Sequence, residues 1–200
     1  MDKKAVVVTG ASSGIGAASA DLLQSKGFHV IGCALPDTDG EAMMAKASET
    51  FTPVYMDVTD STSISSAVDK ITWQLGEGGL AGLVSNAGVA SGGPLELQRT
   101  EDLRRVMEIN VIGSVAVTNA FLPQLRKARG RIVFTGSMLG RCAAPMSSIY
   151  SPSKFAIEAV ADIFRMELRP WGIDVSLIQP DVVKTPILNK SMTQTDALFS

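Results

Sequence analysis

The 200-residue chain is 46% hydrophobic and carries 18 basic against 20 acidic side chains, for a formal net charge of -2. That length suits one domain with an ordinary core, and the scattered positive charge supports neither a nucleic-acid groove nor a polybasic membrane patch. One histidine, His29, and two cysteines, Cys33 and Cys142, outside any CxxC pattern argue against a zinc site, a disulfide framework and a histidine-based triad.

The chain passes from Met1-Asp-Lys-Lys straight into Ala5-Val-Val-Val, which leaves no room for a signal h-region, and no run of eighteen apolar residues follows. A cytoplasmic location without a membrane span is expected. Ala5 to Thr9 is a β-branched run ending at Gly10, and from Gly14 a helical pattern of Ile15, Ala18, Leu22 and Leu23 runs to Gly27. Strand, glycine turn and helix follow in that order. Residues 28–34 repeat the strand signal, and residues 41–50 read as a helix. A third strand at 52–56, a helix from Ser61 to Leu75 and a fourth strand at 80–84 come next. Residues 100–127 form a long helical stretch that bends or breaks near Gly113. Then come strand Arg131 to Thr135, helix 150–169 and strand 173–179. Six apolar strands alternating with helices predict an α/β chain, a parallel sheet covered on both faces. Ligands are expected at the carboxyl ends of its strands, where the glycine loop, Asn86, Ser137 and Pro180 all fall.

The loop Thr9-Gly10-Ala-Ser12-Ser13-Gly14-Ile15-Gly16 joins a strand to a helix. Glycines there allow close backbone approach to a pyrophosphate, whose charge the helix N-terminus favours. The spacing is neither G-x-G-x-x-G nor a P-loop, so the loop alone is also compatible with a tight strand-to-helix turn. Further on, Tyr150-Ser-Pro-Ser-Lys154 puts a phenol and an ammonium four apart on one helix face. The ammonium is expected to lower the phenol pKa toward the working range and so provide an acid or base. Ser137, just past a strand, could bind a substrate oxygen. The spacing alone also fits a surface Tyr/Lys pair.

Taken together, Thr9-Gly-x-x-x-Gly14-Ile-Gly16, Ser85-Asn86-Ala87-Gly88, Asn110, Ser137 and Tyr150-x-x-x-Lys154 resemble the short-chain dehydrogenase/reductase family, in family order across nearly the whole chain. Gly32-Cys33-Ala-Leu35, Asp57-Val58-Thr and Ser153-Lys-Phe-Ala-Ile-Glu-Ala159 further resemble its retinol, hydroxysteroid and 3-hydroxybutyrate dehydrogenase branch. The resemblance implies a Rossmann-type doubly wound parallel sheet. It implies that Tyr150 is the acid/base, that Lys154 tunes it and binds the nicotinamide ribose, that Ser137 orients the substrate oxygen, and that Asn110 holds a water in a relay through Lys154. It likewise implies that Asp57, with Val58, meets the adenine, that Asn86, Ala87 and Gly88 shape the cofactor cleft, and that Pro180, Thr185 and Ile187 contact the nicotinamide. Asp57 could instead cap the following helix. Family members generally have glycine after that proline, where this chain has Asp181.

The expected activity is hydride transfer between a nicotinamide cofactor and an alcohol or its ketone or aldehyde; the other readings are a catalytically silent NAD sensor and a structural subunit. NAD is expected over NADP, because residues 30–41, Ser12 and Ser13 offer no cation for a 2′-phosphate and Asp37 opposes one. Ala34 and Leu35 stand where the family's ribose-binding acid usually lies, so Asp37 or Asp39 must reach back. Leu139, Met146, Ile149, Met192 and Phe199 suggest a lipophilic substrate. A homodimer or homotetramer through the two long helices is implied, with Ala156, Ala159 and Ala161 permitting close approach. Relatives carry a seventh strand beyond the nicotinamide segment, so residues 1–200 are expected to be one truncated domain whose sheet ends at the sixth strand.

Overall fold

The computed structural model describes residues 4–183 and 185. Six strands, β1 (Ala5–Thr9), β2 (His29–Ala34), β3 (Phe51–Tyr55), β4 (Gly82–Ser85), β5 (Arg131–Thr135) and β6 (Asp174–Ile178), form one sheet in the order β3-β2-β1-β4-β5-β6. Every neighbouring pair is parallel. Reversal of strand order between β1 and β4 opens a crevice at their carboxyl ends, the position where such sheets take ligands.

Period-two alternation divides the core between the two faces of the sheet. Val6, Val8 and Val30 pack with Ala20 of α1 (Gly14–Ser25) and Met43 of α2 (Thr38–Met44). Val7, Ile31, Leu83 and Phe134 meet the other set of helices: α3 (Ser61–Leu75), α5 (Ser114–Ala128) and α6 (Tyr150–Leu168). Because both faces are covered, β1 and β2 are buried along their full length, which is why they read as unbroken apolar runs. Strand β6 alternates instead, with Asp174, Ser176 and Ile178 outside and Val175 inside. Among the described residues it pairs with β5 alone.

One helix starts earlier than expected, and the long helical stretch is interrupted near Gly113 as expected. The helix expected at 41–50 is Thr38–Met44, because the Asp37 carboxylate accepts the Gly40 N–H at 2.8 Å and starts the helix early. The stretch expected at 100–127 is α4 (Thr100–Met107), a π-helical segment (Glu108–Gly113) and α5. A Cβ on Gly113 would lie 2.8 Å from the Val58 carbonyl oxygen, so this glycine lets the helix pass against the β3–α3 loop. The combined run Thr100–Ala128 has an 18-residue window of mean hydropathy 1.3 and is long enough to cross a bilayer. Its Val117, Phe121 and Leu125 lie in the core beneath the sheet.

Candidate active site

The ends of β1, β4 and β5 are tied together before any ligand is considered. Thr9 Oγ1 accepts the backbone N–H groups of Asn86 and Ala87, both at 2.9 Å. Asn86 returns its amide N–H groups to the carbonyls of Thr9 at 3.0 Å and Gly10 at 3.3 Å. Its oxygen accepts Thr135 Oγ1 at 3.3 Å. Three strand ends are thereby fixed by one side chain, and the glycine loop cannot slide relative to the sheet. Gly10 (φ 63°) and Gly14 (φ 56°) hold left-handed backbone that side chains resist. A Cβ on Gly16 would lie 2.1 Å from the Gly10 carbonyl oxygen. Gly16 therefore serves by packing behind the loop, while Gly10, Ser12, Ser13, Gly14 and Ile15 line the cleft above it.

That cleft encloses ≈ 680 Å³, within the size range of cofactor sites. The first turn of α1 contains no acidic residue, and Ser13 at its N-cap makes no capping hydrogen bond. The N–H groups of that turn thus face the cleft with no side-chain acceptor, which fits a phosphate. At one end of the cleft stand Asp37, Asp57 and Val58. Asp57 Oδ1 accepts the backbone N–H and hydroxyl of Thr59 at 2.8 and 2.7 Å, whereas Asp60 accepts Thr62 N–H and caps α3. The capping role considered for Asp57 belongs to Asp60. Ala87 and Gly88 form the wall between the two ends.

At the other end Ser137 and Lys154 are buried, and Tyr150 is partly buried. Ser137 follows β5 directly, and its Oγ accepts the Leu139 N–H at 3.2 Å. Lys154 Nζ donates to the Thr135 carbonyl at 2.8 Å and lies 5.6 Å from the centroid of the Tyr150 ring. Ser137 and Tyr150 share this wall of the cleft. Burial raises the Tyr150 pKa above 10.0, opposed by the nearby Ser137 hydroxyl. Burial also brings Lys154 down from 10.5 to about 8. The expectation that Lys154 would pull the phenol down is therefore reversed: both groups lose water, and loss of water favours each neutral form.

Asn110 does not line the cleft. Its side chain accepts Val89 N–H at 2.8 Å and donates to the Val89 carbonyl at 2.9 Å and Ser153 Oγ at 3.0 Å. It braces the post-β4 loop against the first turn of α6. Pro180, Asp181 and Thr185 reach the cleft, and Ile187 lies outside the described residues. Of the apolar residues expected near the substrate, Leu139 lines the cleft; Met146 and Ile149 do not, and Met192 and Phe199 lie outside the described residues. Met138, Val182 and Val183 take part instead. Arg105 of α4 and Glu108 of the π-helical segment also line the cleft, though no motif in the sequence marks them.

Residues 4–196 match the family model for short chain dehydrogenases. The chain belongs to the short-chain dehydrogenase/reductase family. It is 38% identical over 185 residues to retinol dehydrogenase 5 of Mus musculus, covering 92% of this chain and 58% of that one. It is 41% identical over 184 residues to the mitochondrial D-beta-hydroxybutyrate dehydrogenase of Rattus norvegicus, covering 88% and 53%. Within the family, this short-chain dehydrogenase/reductase falls in the branch that these relatives represent. It spans a little over half the length of the curated relatives that it matches. The solved structure of a short chain dehydrogenase/reductase from Burkholderia phymatum in complex with NAD superposes with a TM-score of 0.85 at 28% identity, covering 98% of this chain and 72% of that one.

Proposed function

We propose that this short-chain dehydrogenase/reductase is an NAD-dependent oxidoreductase interconverting an alcohol and its ketone or aldehyde, with Tyr150 as the acid/base. The carrying observation is that Ser137, Tyr150 and Lys154 meet on the wall of the same cleft that the glycine loop floors. When bound, the nicotinamide cofactor supplies the hydride acceptor or donor. Loop 10–15 would hold its phosphates, Asp57 and Val58 its adenine, and Lys154 its nicotinamide ribose. Ser137 Oγ orients the substrate oxygen, and the Tyr150 hydroxyl gives a proton to that oxygen in reduction or takes it in oxidation. Asn110 braces this end of the cleft and is the residue we assign to a water relay toward Lys154.

Support for NAD over NADP comes from Asp37 and Asp39, which border the adenine end where a 2′-phosphate would need a cation. Leu139, Val182 and Val183 support a lipophilic substrate. A cytoplasmic homodimer or homotetramer is part of the proposal. Exposed Phe155, Ile163 and Met166 on α6 suit a helix-pairing face, whereas Ala161 is buried in the core of its own chain and is withdrawn from that face. Tyr150→Phe tests the reading: turnover on an alcohol panel should fall by at least ~100-fold, with NAD affinity nearly unchanged by calorimetry. Wild-type turnover in that variant would overturn the assignment of Tyr150. NAD binding without turnover in the unmodified protein would favour a silent sensor, and no dinucleotide binding a structural subunit.

A further inference from the structure

Three non-glycine residues among those described have left-handed backbone: Arg129 (φ 47°), Met146 (φ 67°) and Ser148 (φ 49°). Arg129 ends a helix. The other two stand in the short stretch just before Tyr150, the residue on which the proposed chemistry depends. Such conformations persist only where surrounding contacts impose them. Here the contacts come from a different loop, the one following β4.

Ser91 and Ser148 are both buried, 57 residues apart in sequence, with their hydroxyl oxygens 3.2 Å apart. Ser91 Oγ also lies 3.1 Å from Gln98 Oε1. The orientation of that amide is fixed by its nitrogen, which donates to the Gly92 carbonyl at 2.9 Å. An amide oxygen can only accept, so the Ser91 proton goes to Gln98 and the Ser148 proton goes to Ser91. The chain of donors thus runs one way, from Ser148, two residues before Tyr150, into the loop. One backbone bond reinforces it: Gly93 N–H donates to the Met146 carbonyl at 2.9 Å, alongside a bridge between Gly93 and Ser147. The start of the same loop is pinned by Asn110 to Val89, and through Ser153 to the carbonyl of Tyr150 at 2.7 Å.

We propose that Ser91, Gln98 and Ser148 form a positioning latch, which holds the left-handed turn before α6 and thereby sets the Tyr150 hydroxyl against Ser137. None of the three lines the cleft. Their effect passes through Tyr150, and the inference rests on Tyr150 being the acid/base. With the latch broken, Met146 and Ser148 relax toward ordinary backbone and turn the first residue of α6 away from Ser137. The phenol then loses the nearby Ser137 hydroxyl, which opposes the effect of its burial. Lys154, on the same helix, is the charged group facing it.

The chain has two tyrosines, Tyr55 and Tyr150, so a Tyr55→Phe background leaves Tyr150 as the sole source of tyrosinate absorbance. In that background Ser91→Ala should lower kcat about tenfold, the scale of one lost buried hydrogen bond, with KM for NAD unchanged and the Tyr150 ionisation midpoint moved upward. Ser91→Thr, which keeps the hydroxyl, should restore both. Gln98→Met, at a partly exposed position, repeats the test should Ser91→Ala not fold. A wild-type ionisation midpoint in Ser91→Ala or Gln98→Met overturns the latch, whether or not the protein turns over. Should no variant turn over, wild type included, while the midpoint still moves, the latch stands and the oxidoreductase reading falls.

Discussion

Lys154 is an ammonium with a single carbonyl partner in a site that has excluded most of its water. Among the described residues no carboxylate pairs with it, so the folded chain carries a desolvation cost. The fall from 10.5 to about 8 corresponds to about 3 kcal/mol. Below about pH 8 both folded and unfolded chains hold this proton, and the cost is borne in full. As pH rises toward 10.5 the folded chain has released the proton and the unfolded chain has not, so stability increases over that interval. Cys33, pushed up from 9.0 to about 12 by burial, acts in the opposite sense. It keeps its proton when folded, and the stability it contributes is lost as pH climbs from 9 through 12. Tyr150 behaves likewise above 10.0. The window from about pH 8 to 9 therefore belongs to Lys154. Lys154→Met should be more stable than wild type near neutral pH by about 1–2 kcal/mol, after roughly 1 kcal/mol is lost with the Thr135 hydrogen bond. Urea unfolding should show that gap narrowing between pH 8 and 9. A variant less stable than wild type at neutral pH would mean that the ammonium is better compensated than its one bond indicates. The sequence placed Tyr150, Lys154 and Ser137 together but gave the wrong direction for the phenol. Spacing reveals which charges are neighbours; the amount of water excluded depends on the whole fold.

Among the elements, the turn from β2 into α2 decides how the end of the cleft at Asp37 and Asp57 is built. A Cβ on Gly40 would lie 1.8 Å from the carbonyl oxygen of Leu35. The clash is with backbone, so no rotamer change relieves it, and the glycine is what permits Asp37 to cap α2 while bordering the cleft. Gly40→Ala should open this turn, destabilise the fold by roughly 1–3 kcal/mol and weaken NAD binding more than NADP binding. Calorimetric titration with both nucleotides checks this. Unchanged NAD affinity in a folded Gly40→Ala protein would show that Asp37 does not contribute to the ribose site. Element existence was legible throughout, because apolar strands and amphipathic helices carry strong periodicity. The start of the short helix α2 was not, since it depends on one side-chain cap. Nor was the π-helical segment legible, because a widened turn leaves no periodic mark over six residues. Asn110 and Asn86 stand out in the sequence by motif, yet their bonds across loops distant in sequence, to Val89 and Thr9, could only come from the fold.

Across the whole molecule, cohesion is greatest at the centre of the sheet and least at one side. Val7, Val8, Val30, Ile31, Leu83 and Ile132 are fully buried, in strands that each have a neighbour on both sides. In β6, by contrast, Ile178 is 41% exposed. One carbonyl of this strand, that of Val175, accepts Arg165 Nε from α6 at 2.9 Å, so a side chain covers part of what a strand would otherwise satisfy. Opening β6 requires breaking its pairing with β5 and uncovering Val175; opening β1 requires dismantling both layers of the core. Amide hydrogen exchange of this 200-residue chain should therefore separate the strands into two classes. Amides of β1, β2 and β4 should exchange only through global unfolding, with protection that tracks denaturant. Those of β6 should exchange through a smaller opening whose free energy is lower and nearly independent of denaturant. The Pro180 carbonyl, just past β6, accepts Met138 N–H at 3.1 Å beside Ser137, so loss of β6 would also loosen the cleft wall that carries Ser137. Exchange of β6 at the global rate would show that its outer edge is secured by contacts beyond the β5 ladder and Arg165. In that case, Arg165→Ala should leave β6 protection unaltered.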